Sequence, residues 1–268
     1  MTLRQIQVSL TSSWGGDRNA AEAAWASSFD KDKLESRTED DVRRVVTGVV
    51  NNAHDTPKER IWGEFFIRCP IFCERQYDKY RMTVQYQDFR IEYLQAEFGR
   101  NGITQNELSG RYRTLPDRPY GLPQDVAQIL SKATNCPAED EHTAWRDLMA
   151  TQYEAYEYAI GCLKRAEKSE LITNAEYKRA REVYRGVLGT GFMTDMRIVM
   201  NLNAFEHIVN QRLAVDTQPE SRVIAHLMIE ELKNSQIAPT IVHAMIAKNN
   251  WAPLQTGVRE LLDADYEP

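Results

Sequence analysis

With 268 residues, 42% of them hydrophobic and 27% charged, the chain has the composition of a folded protein with a sizeable core, which excludes a disordered segment or a fibre. A net charge of −6 argues against a general nucleic-acid coat but leaves room for a small anionic ligand held by a few local arginines or lysines. No run approaches the roughly 18 apolar residues of a membrane span, and residues 1–12, with Arg4 and Gln5, lack the apolar stretch of a secretory signal, so a soluble cytoplasmic protein is expected.

Residues 3–10 alternate apolar and polar side chains, which predicts a short strand. The Ala-rich stretch 19–27 predicts a helix. A better helix is expected over 38–52. Thr38 is its N-cap, Glu39, Asp40 and Asp41 lie in its first turn, and Val42, Val45, Val46 and Val49 share one face. Residues 60–69 read as a strand running into Pro70. Residues 84–98 carry Tyr86, Phe89 and Tyr93 at helical spacing, with Gly99 and Gly102 as stop signals. Pro116, Pro119, Gly121 and Pro123 make 113–123 a loop. Helices are expected over 123–133, 139–168, 174–187, 203–214, 218–233 and 237–248, with a strand at 192–200 after Gly189 and Gly191. No repeat or linker divides the chain. The physical reading is a mixed α/β domain with a helix-rich second half, and the fold class expected for this single domain over residues 1–268 is α+β with a mixed sheet.

Several standard chemistries are missing. There is no glycine-rich dinucleotide loop, no P-loop, no G-x-S-x-G elbow and no H-E-x-x-H. Cys69 and Cys73 are close, but no second pair or nearby histidine completes a zinc pattern. The four cysteines, with Cys136 and Cys162, are expected to be free thiols in a reducing compartment. The five histidines are scattered, and no metal site is expected.

Two segments stand out. Asn106-Glu107-Leu108-Ser109-Gly110-Arg111-Tyr112 packs a carboxylate, a hydroxyl, a glycine and a guanidinium into one short run. It can be a polar turn with a surface ion pair, or a ligand-binding loop in which glycine admits close approach and arginine takes phosphate in a fork. Upstream, Pro70 to Arg81 reads either as a solvated helix face or as a functional cluster. The pairs Glu74 with Asp78 and Arg75 with Lys79 are like-charged and do not stabilise a helix, which favours the second reading.

Together these segments resemble the flavin-dependent thymidylate synthase family. That family's motif runs Arg-His-Arg, then Ser, Asn-Glu, Ser and Arg-Tyr at set intervals. Its second half is intact here from Asn106 to Tyr112, and its first half matches as Gln76, Lys79, Tyr80 and Arg81. His54-Asp55-Thr56-Pro57-Lys58-Glu59 is similar to the family's His-Glu-Thr-Pro-x-Glu turn. Arg185, Asn201 and Arg212 fit its C-terminal pattern, so the resemblance runs from about Ala20 to Asn234. The chain departs from the family at Lys79 and Tyr80, which replace Arg and His. It also has an insertion over 82–105, and His207 stands where many members have Asn.

The resemblance implies a homotetramer with FAD at subunit interfaces. It also implies 5,10-methylenetetrahydrofolate as carbon donor, NADPH as reductant and methylation at C5 of a uridylate, with no nucleic-acid or membrane partner. Carried over, Ser28, Thr56, Tyr80, Arg81, Glu107, Asn201, Asn203 and His207 would contact FAD. Gln76, Lys79, Glu107, Ser109, Gly110, Arg111 and Arg185 would hold the nucleotide, with the cationic side chains near phosphate. Arg212 would face the uracil edge, and Arg212, Ser109 and His54 would form the catalytic set, His54 bordering the flavin and folate pocket. Read from the residues alone, Arg212 is a helix-surface charge or an anion-site residue, and His207 a packed helix histidine or a contact residue. No cysteine nucleophile is expected, since Cys136 precedes Pro137 without a neighbouring histidine. dUMP is the family's usual substrate. UMP competes with it because the insertion and the altered Lys79-Tyr80 adjoin the nucleotide motif. A non-catalytic flavin- or nucleotide-binding protein on the same fold is the alternative. The insertion is expected to be a helical cover over the nucleotide site or an added interface element.

Overall fold

The computed structural model describes residues 2–26, 36–78, 103–107 and 114–265. Its centre is a four-stranded sheet of β1 (Gln7–Trp14), β2 (Trp62–Pro70), β3 (Ile103–Glu107) and β4 (Met193–Asn201), in the order β1-β2-β4-β3. Among the described residues every ladder is antiparallel, so the α+β expectation holds, but the sheet there mixes no strand directions. β2 pairs along its whole length with β4, from Trp62 opposite Asn201 to Pro70 opposite Met193. On β2 the buried residues include Gly63, Phe65, Ile67 and Cys69, and on β4 they include Met196, Ile198 and Met200. This period-two burial puts one face of the sheet against the core.

Ten helices surround the sheet among the described residues: α1 (Asp17–Trp25), α2 (Glu39–Asn51), α3 (Ile71–Asp78), α4 (Gln124–Thr134), α5 (Ala138–Lys168), α6 (Asn174–Tyr184), α7 (Leu202–Arg212), α8 (Pro219–Ser235), α9 (Pro239–Lys248) and α10 (Trp251–Ala264). α8 lies across β1 and β2, burying Val223, Ile224, Met228 and Ile229. α1, α2 and α9 pack together beside the 3-10 turn Thr56–Arg60. A second, smaller core of Met149, Tyr156, Ile160, Leu188 and Phe192 ties α5 to the start of β4. No helix among the described residues is long and apolar enough to cross a membrane.

Local chemistry explains the boundaries. Thr38 caps α2 as expected and forms a reciprocal capping box with Asp41. Thr173 and Glu176 do the same for α6. Gly15, at φ +86°, turns β1 into α1 where any Cβ would sit 2.4 Å from the Arg60 carbonyl oxygen, so this turn and the 56–60 turn are packed backbone to backbone.

Four expectations need correction. The first strand is Gln7–Trp14, because Leu3–Gln5 close into a 3-10 turn whose Leu3 amide is held by Asp265 of the far terminus. Residues 174–187 end as a helix at Tyr184 and continue as a separate 3-10 turn, Arg185–Val187. The chain forms a further helix, α10, beyond the last one expected, with Trp251 and Val258 buried on it. β3 begins inside the 82–105 insertion, where a five-residue edge strand shows little periodicity of its own. The helix expected over 84–98 lies outside the described residues.

Candidate active site

α3 leaves the end of β2 directly, and its sides face two different polar clusters. Its burial corrects the solvated-face reading: Cys73, Glu74 and Tyr77 are all buried. On one side, Gln76 meets Arg212 at the C-terminal end of α7. Arg212 Nη1 donates to Gln76 Oε1 at 3.0 Å and Nη2 to the Gln76 carbonyl at 3.2 Å. The same guanidinium lies over the Tyr77 ring, 5.9 Å from its centroid. Ser221 Oγ also donates to Gln76 Oε1 at 3.1 Å, and Gln76 Nε2 donates to Gln218 Oε1 at 2.6 Å. The amide of Gln76 is thus oriented from both ends, and a cation at the negative end of α7 is electrostatically favoured. Gln218 and Ser221 were invisible to sequence reasoning. They sit at the start of α8, and only the tertiary fold brings that helix to α3.

On its other side α3 borders a cavity of about 280 Å³, lined among others by Glu74 and Arg75, by Glu107 of β3, by Arg185 and by Thr194 of β4. Glu107 and Arg185, expected to serve ligand binding, therefore share one cavity. Thr194 Oγ1 donates to Glu107 Oε1 at 2.8 Å, and Gln105 Nε2 donates to Glu74 Oε1. Within one chain, Gln76 and Arg212 do not line this cavity.

The remaining expected cofactor residues gather elsewhere, on the 54–60 turn and the first turns of α7. His54, Thr56 and His207 are exposed, and Asn203 is half-buried with its amide 3.5 Å from Glu59 Oε1. His207 Nε2 is 3.0 Å from Gln211 Nε2. Asn201 is different: it is buried, and its Oδ1 accepts from the Ala204 amide at 2.9 Å as the N-cap of α7. Beneath this strip Lys58, only 1% exposed, is ion-paired to Glu206 of α7 and to Asp55, the latter at 2.9 Å.

Two of the four thiols, Cys69 and Cys73, are withdrawn from solvent, whereas Cys136 is exposed and Cys162 partly so. Cys69 and Cys73 are buried, and burial, reinforced by neighbouring groups such as Glu74 near Cys69, pushes both far above the usual thiol range. No group of potential metal ligands exists among the described residues. Ser28, Lys79, Tyr80, Arg81, Ser109, Gly110 and Arg111, all expected in the site, lie outside the described residues.

Comparisons with known proteins agree on one family. The family model described as thymidylate synthase complementing protein matches residues 9–240. A flavin-dependent thymidylate synthase of Pseudothermotoga lettingae is 29% identical over 251 residues, covering 94% of this chain and 95% of its own length. One from Rickettsia bellii is 24% identical over 196 residues, a match that spans 70% of this chain and 60% of that relative. Among solved structures, the UMP/dUMP methylase PolB from Streptomyces cacaoi, bound with 5-Br dUMP, superposes with a TM-score of 0.60 at 20% identity, over 90% of this chain and 95% of its own. The same enzyme bound with 5-Br UMP gives a TM-score of 0.55. At that identity the likeness shows a shared fold.

Proposed function

The chain belongs to the thymidylate synthase complementing protein family, and from that premise we propose that it reductively methylates C5 of a uridylate, dUMP or UMP. The observation that carries this reading is the Arg212–Gln76 pair. A guanidinium and an oriented amide, contributed by helices far apart in sequence, meet beside an aromatic ring. Donor and acceptor groups of this kind suit the polar edge of a uracil. C5 of uracil attacks an electrophilic carbon only as the ring takes on enolate character, with negative charge at the N3/O4 edge. Arg212 would stabilise that charge as it develops. Gln76, fixed by Ser221 and Gln218, would hold the ring in register. Arg185 and Glu107, in the cavity on the far side of α3, would take the rest of the nucleotide, with Arg185 toward phosphate.

Thr56, Asn203 and His207 fit FAD by their donor chemistry, since hydroxyl, amide and imidazole groups match a flavin's ring heteroatoms and its pyrophosphate, with His54 bordering the flavin and folate pocket. Asn201 would act at one remove, by setting the start of α7. When bound, FAD supplies the hydride, with methylenetetrahydrofolate as carbon donor and NADPH as reductant. Among the described residues Gln76 and Arg212 do not line the Glu107–Arg185 cavity, which fits complete sites between the subunits of a homotetramer, as the family resemblance implies. Exposed apolar side chains such as Leu148, Tyr158, Val183 and Tyr184 on α5 and α6 supply surface for that assembly. Free, unpaired cysteines suit a cytoplasmic setting.

The test is methyl transfer measured with dUMP and with UMP, on protein whose flavin absorbance has first been recorded. A yellow protein bleached by NADPH that methylates either nucleotide is expected. Protein that binds no FAD at tens of micromolar, or that binds FAD and methylates neither nucleotide, would refute the reading.

A further inference from the structure

The cavity beside α3 contains two guanidiniums, Arg75 and Arg185, and two carboxylates, Glu74 and Glu107. Guanidiniums beside carboxylates in one small cavity would ordinarily pair with them, and among the described residues Arg75 and Arg185 do not. Glu107 is engaged by the Thr194 hydroxyl, and Glu74, buried at 2% exposure, is engaged by the Gln105 amide. Among the described residues neither guanidinium makes a side-chain hydrogen bond or an ion pair, although acceptors line the same walls. Arg75 reaches the cavity because Ile71, Glu74 and Arg75 lie on one face of α3. Gln76, one residue on, turns to the other side toward Arg212.

Two uncommitted guanidiniums facing one half-enclosed cavity are a fork for a doubly charged oxyanion, which accepts hydrogen bonds on several oxygens at once. We propose that Arg75 is a phosphate-binding residue of the nucleotide site, acting opposite Arg185. The inference rests on the uridylate reading above and adds to it a residue that the family's motif does not assign. It also gives α3 a double role: its Gln76 side addresses the base-recognising edge, and its Arg75 side addresses a phosphate, so the two sides serve different nucleotides if sites form between subunits.

The experiment is calorimetric titration of full-length, flavin-loaded protein with dUMP, UMP, uridine and inorganic phosphate, for wild type, Arg75→Gln, Arg75→Lys and Arg185→Gln. Arg75 is exposed, so its replacement should leave the fold intact, and unchanged melting and flavin content verify this. Loss of one charge-assisted contact should weaken nucleotide and phosphate about 10–100-fold while leaving uridine affinity unchanged. Arg75→Lys should recover part of the loss, and both neutral variants should bind nucleotide with a shallower salt dependence. Unchanged nucleotide affinity in Arg75→Gln, or an equal loss for uridine, would overturn the assignment. Wild-type protein that binds phosphate through Arg75 but binds neither uridylate would instead overturn the uridylate reading and leave the anion site standing.

Discussion

Lys58 and Glu206 meet in an ion pair almost wholly withdrawn from solvent, their side chains 2% and 7% exposed. Glu206 also accepts from Asn249 at 2.7 Å and from Lys248 at 3.3 Å, so the turn carrying Thr56, the helix carrying His207 and the end of α9 converge on one carboxylate. Burying a charge is tolerated only when it is paired and hydrogen-bonded, and here each partner is. The pair therefore fixes the spacing of the two segments that carry the proposed flavin contacts.

Removing one partner leaves the other charge stranded. Lys58→Met is expected to destabilise the protein by about 3 kcal/mol, the lower end of the range for broken buried pairs because Lys248 and Asn249 still reach Glu206. Lys58→Met combined with Glu206→Leu should recover most of that loss, since an apolar pair of similar volume removes both desolvation costs. Denaturant unfolding of the three variants measures this, and a double variant no more stable than Lys58→Met would count against it.

The same carboxylate sets an acid limit. Burial raises the Glu206 pKa, but hydrogen bonds from Lys58 and Asn249 outweigh it and leave the group below its ordinary 4.5. In the unfolded chain Glu206 takes up its proton first as pH falls. Its contribution is therefore fully present above that ordinary value and is lost as pH drops through the lower folded value. Asp195 behaves alike: burial raises it, and Arg68 and Arg118 more than reverse the effect. Melting temperature followed from about pH 6 to pH 3 should fall for wild type and fall less for the Lys58→Met, Glu206→Leu double variant.

Arg212→Ala should lower kcat by about 10²–10³-fold while FAD stays bound, because the guanidinium opposes charge that exists only as the ring reacts. Arg212→Lys should rescue poorly, since an ammonium cannot span both the side-chain and backbone oxygens of Gln76. Arg185→Ala should act mainly on KM, because phosphate charge does not change during methyl transfer. Steady-state kinetics separates the two. Near-normal kcat in Arg212→Ala would remove it from the chemistry.

Replacing Cys69, Cys73, Cys136 and Cys162 by Ala together should leave methyl transfer largely intact. The two thiols nearest the site are buried and held protonated, and the other two lie on or near the surface. The cost should appear as stability, through small cavities at Cys69 and Cys73. Turnover normalised to folded, flavin-loaded protein is the measurement, and its loss would point to a cysteine nucleophile.

Much of the architecture was legible in the chain because it depends on local patterns. The Thr38 cap and valine stripe of α2, the alternation of β2 and the long amphipathic run of α5 each state their own secondary structure. The run from Asn106 to Tyr112, with Arg185 and Arg212, resembles the family's motif in residue type and order. What the chain could not state is which of these groups meet. β3 was hidden because an edge strand draws its stability from the neighbour it pairs with, here β4, and not from its own five residues. Ser221 and Gln218 became partners of Gln76 only when α8 folded back across the sheet to α3. Lys58 looks like a surface lysine in a polar turn until α7 supplies Glu206, a contact across 148 positions of sequence. Helix periods and caps are written within a few residues of where they act. Pairing of charges and orientation of amides depend on distances in space, and for Lys58, Gln76, Arg75 and Arg212 those distances were decided by the packing of α3, α7 and α8 around the sheet.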